Sequence, residues 1–316
     1  MKRDLKAEGL ASSISARFVG PVRSGKIWYS WVSTRFMTRA DVLVASIWVR
    51  MPLRFFGPKY SVGSGMRVVA LTSFPRRIGQ VHLTLRSLLM QSLPVDQVIL
   101  ILSTNEFPKG ELGLPSRLRR LVKDSRGRIC IHFTVDNKRS YKKLLPVLKL
   151  HPDAVVLTAD DDVLYWRSWA YKLEMASQRF PGCIVGTRGS RISAIHGTAR
   201  AYSSWPSGPP DVEGHSVFLT GRGGILYPPF SLDVRVHDWE TASRLCPSGD
   251  DIWFKAMATL AGVKAVRINT GREYPSNGAS QRDALWTRNL SQNENDVAFK
   301  AVVDHFDLWE KYDESP

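Results

Sequence analysis

The sequence predicts an α/β fold, a doubly wound and mostly parallel sheet flanked by helices, behind a basic helical N-terminal extension. Three observations predict it. From residue 66 onward, apolar runs of strand length alternate with segments whose apolar residues recur at helical spacing. The run Ala154-Val155-Val156-Leu157-Thr158-Ala159 ends abruptly in Asp160-Asp161-Asp162, so a buried strand delivers acids to the edge where open sheets bind ligands. Before residue 66 the composition is different, and Ser61-Val62-Gly63-Ser64-Gly65 reads as a linker between a 1–65 extension and a 66–316 domain.

Each element follows in order. Arg67-Val68-Val69-Ala70-Leu71 is a buried strand, Ile78, Val81, Leu85, Leu88 and Leu89 mark a helix over 78–91, and Gln97 to Leu102 resumes as strand. That is a βαβ unit with a right-handed crossover. Ile129 to Phe133 is a third strand, Tyr141 to Leu150 a short helix started or disturbed by Pro146, and Ala154 to Thr158 a fourth strand. Trp166 to Phe180 reads as a helix and Ile184 to Thr187 as a short strand. Residues 188–215, rich in Gly, Ser, Pro and aromatics, read as a long loop or lid. Val217-Phe218-Leu219 leads into a glycine-rich stretch, Gly221 to Pro229, that permits either a close approach of backbone to ligand or a tight turn. Asp250 and Asp251 follow Gly249 and open a helix with the stripe Trp253, Met257 and Leu260, which Gly262 can end. These aspartates read both as N-capping residues and as a second acidic site. The tail from Tyr274 to Asp313, with Asn277, Gln281, Trp286 and Asn289, either closes over an acceptor or packs as a C-terminal helix.

At 316 residues and 43% hydrophobic content the chain can bury a substantial core, which excludes a disordered protein. Cys130, Cys183 and Cys246 lie far apart with no CxxC pair, which argues against a disulfide framework or a structural zinc site and fits a reducing cytosol. The net charge of +15 calls for an anionic partner. Residues 1–65 supply +8 of it, 11 basic against 3 acidic, interleaved with Phe18, Trp28, Tyr29, Trp31, Phe36, Trp48, Phe55 and Phe56. Basic plus aromatic is the composition of segments that lie in a membrane interface, or of a helical subdomain packed on the body. No transmembrane or signal segment is visible, since the longest apolar run, Val42 to Val49, is far too short to span. In the absence of a nucleic-acid-binding motif, no nucleic-acid partner is expected.

Three adjacent carboxylates repel one another unless a cation or strong hydrogen-bond donors offset their charge. An extended backbone places Asp160 and Asp162 on one face and Asp161 on the other. Hard oxygen ligands of this kind suit Mg²⁺ or Mn²⁺, which take one or two protein carboxylates and fill the rest with water and phosphate oxygens. The competing reading is a solvated acidic turn.

Taken together, Thr72-Ser73-Phe74-Pro75 after the first strand, the strand-borne Asp160-Asp161-Asp162, the Gly221 to Tyr227 segment and the Gly249-Asp250-Asp251 helix start resemble the nucleotide-diphospho-sugar glycosyltransferases of the GT-A fold, particularly bacterial family 2-like enzymes, over about residues 66–268. The resemblance implies a GT-A type sheet and a DxD motif whose Asp160 and Asp162 hold a divalent metal, Mn²⁺ or Mg²⁺, on the donor diphosphate, with Asp162 the direct ligand and Asp161 supporting the nucleotide. The family's late acidic motif supplies the general base. Its aspartate matches Asp251, and Asp250 replaces the usual glutamate, which leaves the choice between the two open. By position, Thr72, Ser73 and Arg76 would line the nucleotide pocket, Asp136 would hydrogen-bond base or ribose, and Lys142 and Lys143 would contact phosphate. His237 and His305 read as surface or core histidines before metal ligands.

The resulting expectation is a metal-dependent, inverting, hexosyltransferase-type enzyme of cell-surface polysaccharide synthesis. Its partners would be a nucleotide diphosphate sugar donor, a glycan or lipid-linked acceptor and an anionic membrane surface, with the protein cytoplasmic or peripheral on the inner face of the membrane. A nucleotidyltransferase or an aspartate phosphohydrolase would use similar ingredients, without accounting as well for Asp250-Asp251. A basic peripheral-membrane or nucleic-acid-binding module with a degenerate transferase fold would explain the charge but leave the acids unused.

Overall fold

The computed structural model of the chain describes residues 41, 43–53, 59, 65–276 and 294–313. Most of the aromatic N-terminal segment, the 61–64 part of the linker, and Asn277, Gln281, Trp286 and Asn289 lie outside the described residues. By internal contacts the chain divides into two units, Met1–Trp48 and Val49–Pro316. In the first, residues 43–48 are helical, with Leu43, Val44 and Ile47 exposed.

The second unit is built on a mixed sheet. In chain order its strands are β1 (Arg67–Thr72), β2 (Gln97–Ser103), β3 (Ile129–Thr134), β4 (Val155–Thr158), β5 (Ile184–Gly186), β6 (Gly189–Arg191), β7 (Ala194–Ile195), β8 (Thr198–Ala199), β9 (Glu213–Gly214), β10 (Val217–Leu219), β11 (Ile225–Tyr227) and β12 (Ala265–Arg267). Eight of them form one sheet in the order β3-β2-β1-β4-β11-β5-β12-β9. The first four pair in parallel. β11 is inserted antiparallel between β4 and β5, β12 runs parallel to β5, and β9 closes the edge antiparallel.

Helices cover both faces, and this explains why β1 and β2 read as continuous apolar runs instead of alternating ones. Successive residues point to opposite sides. Val69, Leu71, Val98, Leu100 and Leu157 face one core with Val81, Leu85 and Leu88 of the helix Val81–Leu89, Leu118 and Leu121 of Ser116–Asp124, and Trp169 and Leu173 of Trp169–Arg179. Val68, Ala70, Ile99, Ile101 and Val156 face the other, with Trp253 and Met257 of Asp250–Leu260 and Phe299 and Val302 of Glu294–Phe306. The fold is therefore the predicted α/β class, doubly wound and mostly parallel. Of the C-terminal tail, the described residues 294–313 pack on the body: Phe299 meets Trp205 edge-on at 4.9 Å, and Tyr312 Oη donates to Thr259 Oγ1 at 2.8 Å.

Several expectations are corrected in detail. Residues 188–215 are not a plain loop but hold β6, the β7–β8 hairpin and β9; strands of two or three residues are too short for periodicity to register. The hairpin turns through His196 and Gly197, both at positive φ, 51° and 71°, as a two-residue primed turn requires. Pro146 starts a helix: Leu145–Leu150 carries it in the first turn, where its missing N–H is not needed. Asp250 and Asp251 do not cap their helix, because Gly249 is the N-cap and no side chain caps it. All three cysteines are free. Among the described residues, no helix is long and apolar enough to cross a membrane.

Candidate active site

β4 delivers the acidic triplet beside β1, with Thr158 opposite Ala70 and the Ala159 N–H donating to Ala70 O at 2.9 Å. The triplet thus emerges at the carboxyl edge of the parallel strands. Asp161 turns inward and is buried. Ser73 Oγ donates to its Oδ2 at 2.6 Å and Arg77 Nη1 to its Oδ1 at 2.9 Å, while Thr84 Oγ1 donates to its backbone oxygen at 2.9 Å. Burial nonetheless pushes the Asp161 carboxyl up to about 6, against the pull of Ser73 and Arg77. Arg77 also reaches Asp162 Oδ2 at 3.2 Å and lies over the Phe74 ring at 5.3 Å. One guanidinium therefore offsets two of the three repelling charges.

The third carboxylate belongs to a second cluster. Asp160 donates its N–H to Tyr165 Oη at 2.8 Å, and its side chain, 31% exposed, faces Lys143 Nζ at 3.7 Å. The same ammonium pairs with Asp250 Oδ2 at 2.9 Å. Asp251, next along the helix, accepts from the Gly221 N–H at 3.1 Å through Oδ2. Gly221 is where these groups converge: a Cβ there would lie 2.7 Å from Lys143 Nζ, 3.5 Å from Asp251 Oδ1 and 3.6 Å from Asp160 Oδ1. A side chain at this position would displace the tip of Lys143 from between the strand end and the helix start.

The electrostatics follow from one cation shared among three buried or half-buried acids. Burial alone would lower Lys143, yet Asp250, Asp160 and Asp251 outweigh it and hold the lysine well above its ordinary value. Burial raises Asp160, with Lys143 opposing. Asp251 is pushed up to about 7, first by burial and then by the Asp250 charge, against Lys143 and the Gly221 N–H. Its Oδ1 is buried with no hydrogen-bond partner among the described residues. Behind it is a cavity of about 20 Å³, lined by Asp251, Tyr227, Phe254 and Lys255 among others, room for about one water. Lys255 Nζ is buried there without a hydrogen bond among the described residues, 5.7 Å from the centre of the Tyr312 ring, and burial lowers it to about 7.

Of the residues singled out from sequence, Asp160, Lys143, Asp250 and Asp251 come together around Gly221, and Ser73, Asp161 and Asp162 form the adjoining Arg77 cluster. Others do not join. Thr72 Oγ1 donates to Ile101 O at 2.8 Å, and the buried Lys142 pairs its Nζ with Glu106 Oε2 at 2.6 Å. Arg76 is exposed, and its neighbour Arg77 takes the position beside the acids. Asp136 is exposed in the loop after β3. His305 is exposed against Phe306, and His237 Nδ1 is buried without a hydrogen bond among the described residues. Arg77, Tyr165 and Lys255 went unread in the sequence. The alternation of side chains at a strand exit, placing Asp161 inward, was the available signal that a buried cation had to follow.

Among the described residues no group of three His, Cys, Asp or Glu side chains is arranged to hold a metal ion. The donor set still fits Mg²⁺ or Mn²⁺ in their usual mode of one or two carboxylates plus phosphate and water, because the Asp160 carboxylate is partly exposed and meets nothing closer than Lys143 among the contacts around it. Asp162 is held by Arg77 on one oxygen.

No protein-family model matches the sequence, and no curated protein matches it. Among solved structures the chain is similar to 4-diphosphocytidyl-2C-methyl-D-erythritol synthase from Anaerococcus prevotii, at 13% identity over 72% of this chain and 96% of that one, with a TM-score of 0.44. It is similar to residues 1–349 of TarS from S. aureus at 12% identity, over 77% of this chain and 72% of that one, with a TM-score of 0.46. A third is the mannosyltransferase PcManGT from Pyrobaculum calidifontis, in complex with GDP-Man and Mn²⁺, at 13% identity over 76% of this chain and 65% of that one, with a TM-score of 0.41. Likenesses this distant leave the chemistry to be read from the site's own residues.

Proposed function

We propose that the chain is a GT-A type glycosyltransferase that moves a sugar from a nucleoside diphosphate donor to a glycan or lipid-linked acceptor, with inversion, in cell-surface polysaccharide synthesis. The observation that carries this is the convergence of Asp160, Lys143 and Asp251 on Gly221, because it sets anion-binding and proton-accepting groups side by side at the carboxyl edge of the sheet. Asp160, with Asp162, would hold Mn²⁺ or Mg²⁺. Such an ion supplies several kcal/mol of charge stabilisation to a departing diphosphate.

The remaining roles fall to the chain's own groups. Asp251 is the general base: its bare Oδ1 takes the proton of the acceptor hydroxyl as that oxygen bonds to the anomeric carbon, and the bond to the diphosphate breaks with its electron pair on the leaving oxygen. A base titrating near 7 is matched to neutral pH and contributes roughly 10²–10⁴-fold. Lys143, held charged by its acidic neighbours, supports the phosphates, and Ser73 and Arg77 hold the triplet in shape. Residues 1–65, basic and aromatic, would keep the enzyme on the inner face of an anionic membrane, near a lipid-linked acceptor.

The test is release of nucleoside diphosphate from a panel of UDP-, GDP- and TDP-sugars, with and without Mn²⁺, in the presence of candidate acceptors. Acceptor-stimulated release that Asp251→Asn abolishes supports the reading. Release of pyrophosphate from a nucleoside triphosphate and a sugar phosphate, with no diphosphate formed, would make the chain a nucleotidyltransferase instead.

A further inference from the structure

The catalytic cleft leaves a second concentration of charge unused. Between Ser116 and Arg128 the chain carries Arg117, Arg119, Arg120, Lys123, Arg126 and Arg128 against Asp124 alone. Leu118 and Leu121 are buried, which turns the arginines of this helix to the surface, and Arg117, Arg119, Arg120 and Lys123 make no ion pair among the described residues. Between this helix and Val81–Leu89 is a groove of about 390 Å³ lined by His82, Arg86, Ser116, Arg117, Arg120, Leu121 and Asp124. Three arginines face it against one carboxylate.

Arg86 is fixed in the groove wall. Its Nε donates to Val49 O at 2.5 Å and its Nη2 to Met51 O at 2.6 Å, so the groove lies beside residues 49–51. The positive potential shows on His82, whose pKa is lowered by burial and further by Arg117, Arg86 and Arg50. Exposed apolar side chains lie close in sequence: Leu112, 82% exposed, just before the basic helix, and Met51, 45% exposed. Cations near an exposed aliphatic side chain such as Met51, whose backbone oxygen Arg86 holds, suit a lipid headgroup region, whereas a groove for single-stranded nucleic acid would offer aromatic rings for stacking, and none lines this one.

We propose that this groove binds the phosphates of anionic phospholipid headgroups through Arg117, Arg120 and Arg86. Docking there would orient the catalytic edge, because the same helix that presents His82 and Arg86 to the groove anchors the triplet through Thr84 and the Asp161 carbonyl. The inference does not depend on sugar transfer and is tested without it.

The experiment is sedimentation of the full chain with vesicles of phosphatidylcholine alone and of phosphatidylcholine with phosphatidylglycerol in equal amounts, at low and high salt. The groove variant is Arg117→Glu/Arg120→Glu. The control, Lys149→Glu/Lys311→Glu, makes the same charge change at exposed sites elsewhere. The wild type should bind the anionic vesicles in a salt-sensitive manner, the control should follow it within about two-fold, and the groove variant should bind at least ~10-fold more weakly, two surface-near cations being lost. A circular dichroism melt that matches wild type assigns the loss to the surface. Equal binding by groove and control variants, or no vesicle binding by the wild type, overturns the proposal. So does a groove variant that keeps vesicle binding but loses affinity for a DNA duplex.

Discussion

The two acidic sites are made of the same side chain and are built for opposite ends. At the strand exit, Asp161 is saturated by Ser73 and Arg77, and the same guanidinium reaches Asp162. At the helix start, Asp250 and Asp251 share one lysine with Asp160, and Asp251 keeps a buried oxygen bare. A satisfied buried carboxylate rigidifies its surroundings. Burial raises both carboxyls, Asp161 to about 6 and Asp251 to about 7, but only the half-satisfied one keeps an oxygen free to accept a proton, which is what proton transfer requires and stability does not. The separation of roles is therefore read from hydrogen-bond inventory, and not from residue type or from position in a motif.

The largest expected effect is on transfer. Asp251→Asn keeps the shape and removes the proton acceptor, so the transfer rate should fall by ~10²–10⁴-fold with donor affinity near wild type. Single-turnover kinetics paired with calorimetric donor titration separate the two. In the wild type the carboxylate must be ionised to act, and because its pKa is raised to about 7, the rate should drop as pH falls through that value. Asp250→Asn should be milder if Asp250 chiefly holds Lys143. A dead Asp250 variant beside a fully active Asp251 variant reverses the roles and breaks the comparison.

At the strand exit the expected loss is in stability. Asp161→Ala leaves Ser73 without an acceptor and takes from half-buried Arg77 its closest partner, while Asp162 still reaches it at 3.2 Å, so the loss should lie at the low end, about 3 kcal/mol, of what removing one member of a buried pair costs. Urea unfolding measures it, and a variant within about 1 kcal/mol of wild type would show that Asp161 is no anchor. The sign with pH follows from the raised carboxyl. With its folded pKa at about 6 against the ordinary 3.8, Asp161 binds its proton more tightly folded than unfolded, so this group's contribution favours the folded state as pH falls from about 6 toward 4.

Much of the fold was legible because burial on two faces leaves a mark. β1, β2 and β4 are apolar runs dominated by Val, Ile and Leu, and the helix between the first two shows its stripe. β11 left almost none, since three residues after a glycine-rich turn carry no period, and its antiparallel insertion is a property of the sheet. At the site, the convergence of distant residues is what sequence could not show. Lys142 and Lys143 are adjacent, but in the tight turn Arg139–Lys143 successive side chains point about 120° apart. One therefore meets Glu106 and the other the acid cluster. The same holds for Arg76 and Arg77 after β1. Which partner each member of a basic pair meets depends on a turn whose geometry is set by tertiary contacts.

Lys255 gives the comparison its smallest and sharpest test, because it lines the same cavity as Asp251. A buried ammonium without a hydrogen bond is a net burden on folding, eased in part by the Tyr312 ring. Lys255→Met keeps the length and removes the polar atom, so it should stabilise the protein by about 1–3 kcal/mol at pH 7. The pH dependence makes the cause visible. The folded pKa is lowered from 10.5 to about 7, so between those values the unfolded chain holds a proton that the folded one has shed, and wild-type stability rises with pH across that window. The methionine variant lacks this rise, and its advantage should be greatest below about pH 7 and shrink toward pH 10. An advantage that stays constant with pH would mean that packing alone changed. A loss of stability would mean that Lys255 has a partner, and the cavity beside Asp251 would then be a built ion-pair site.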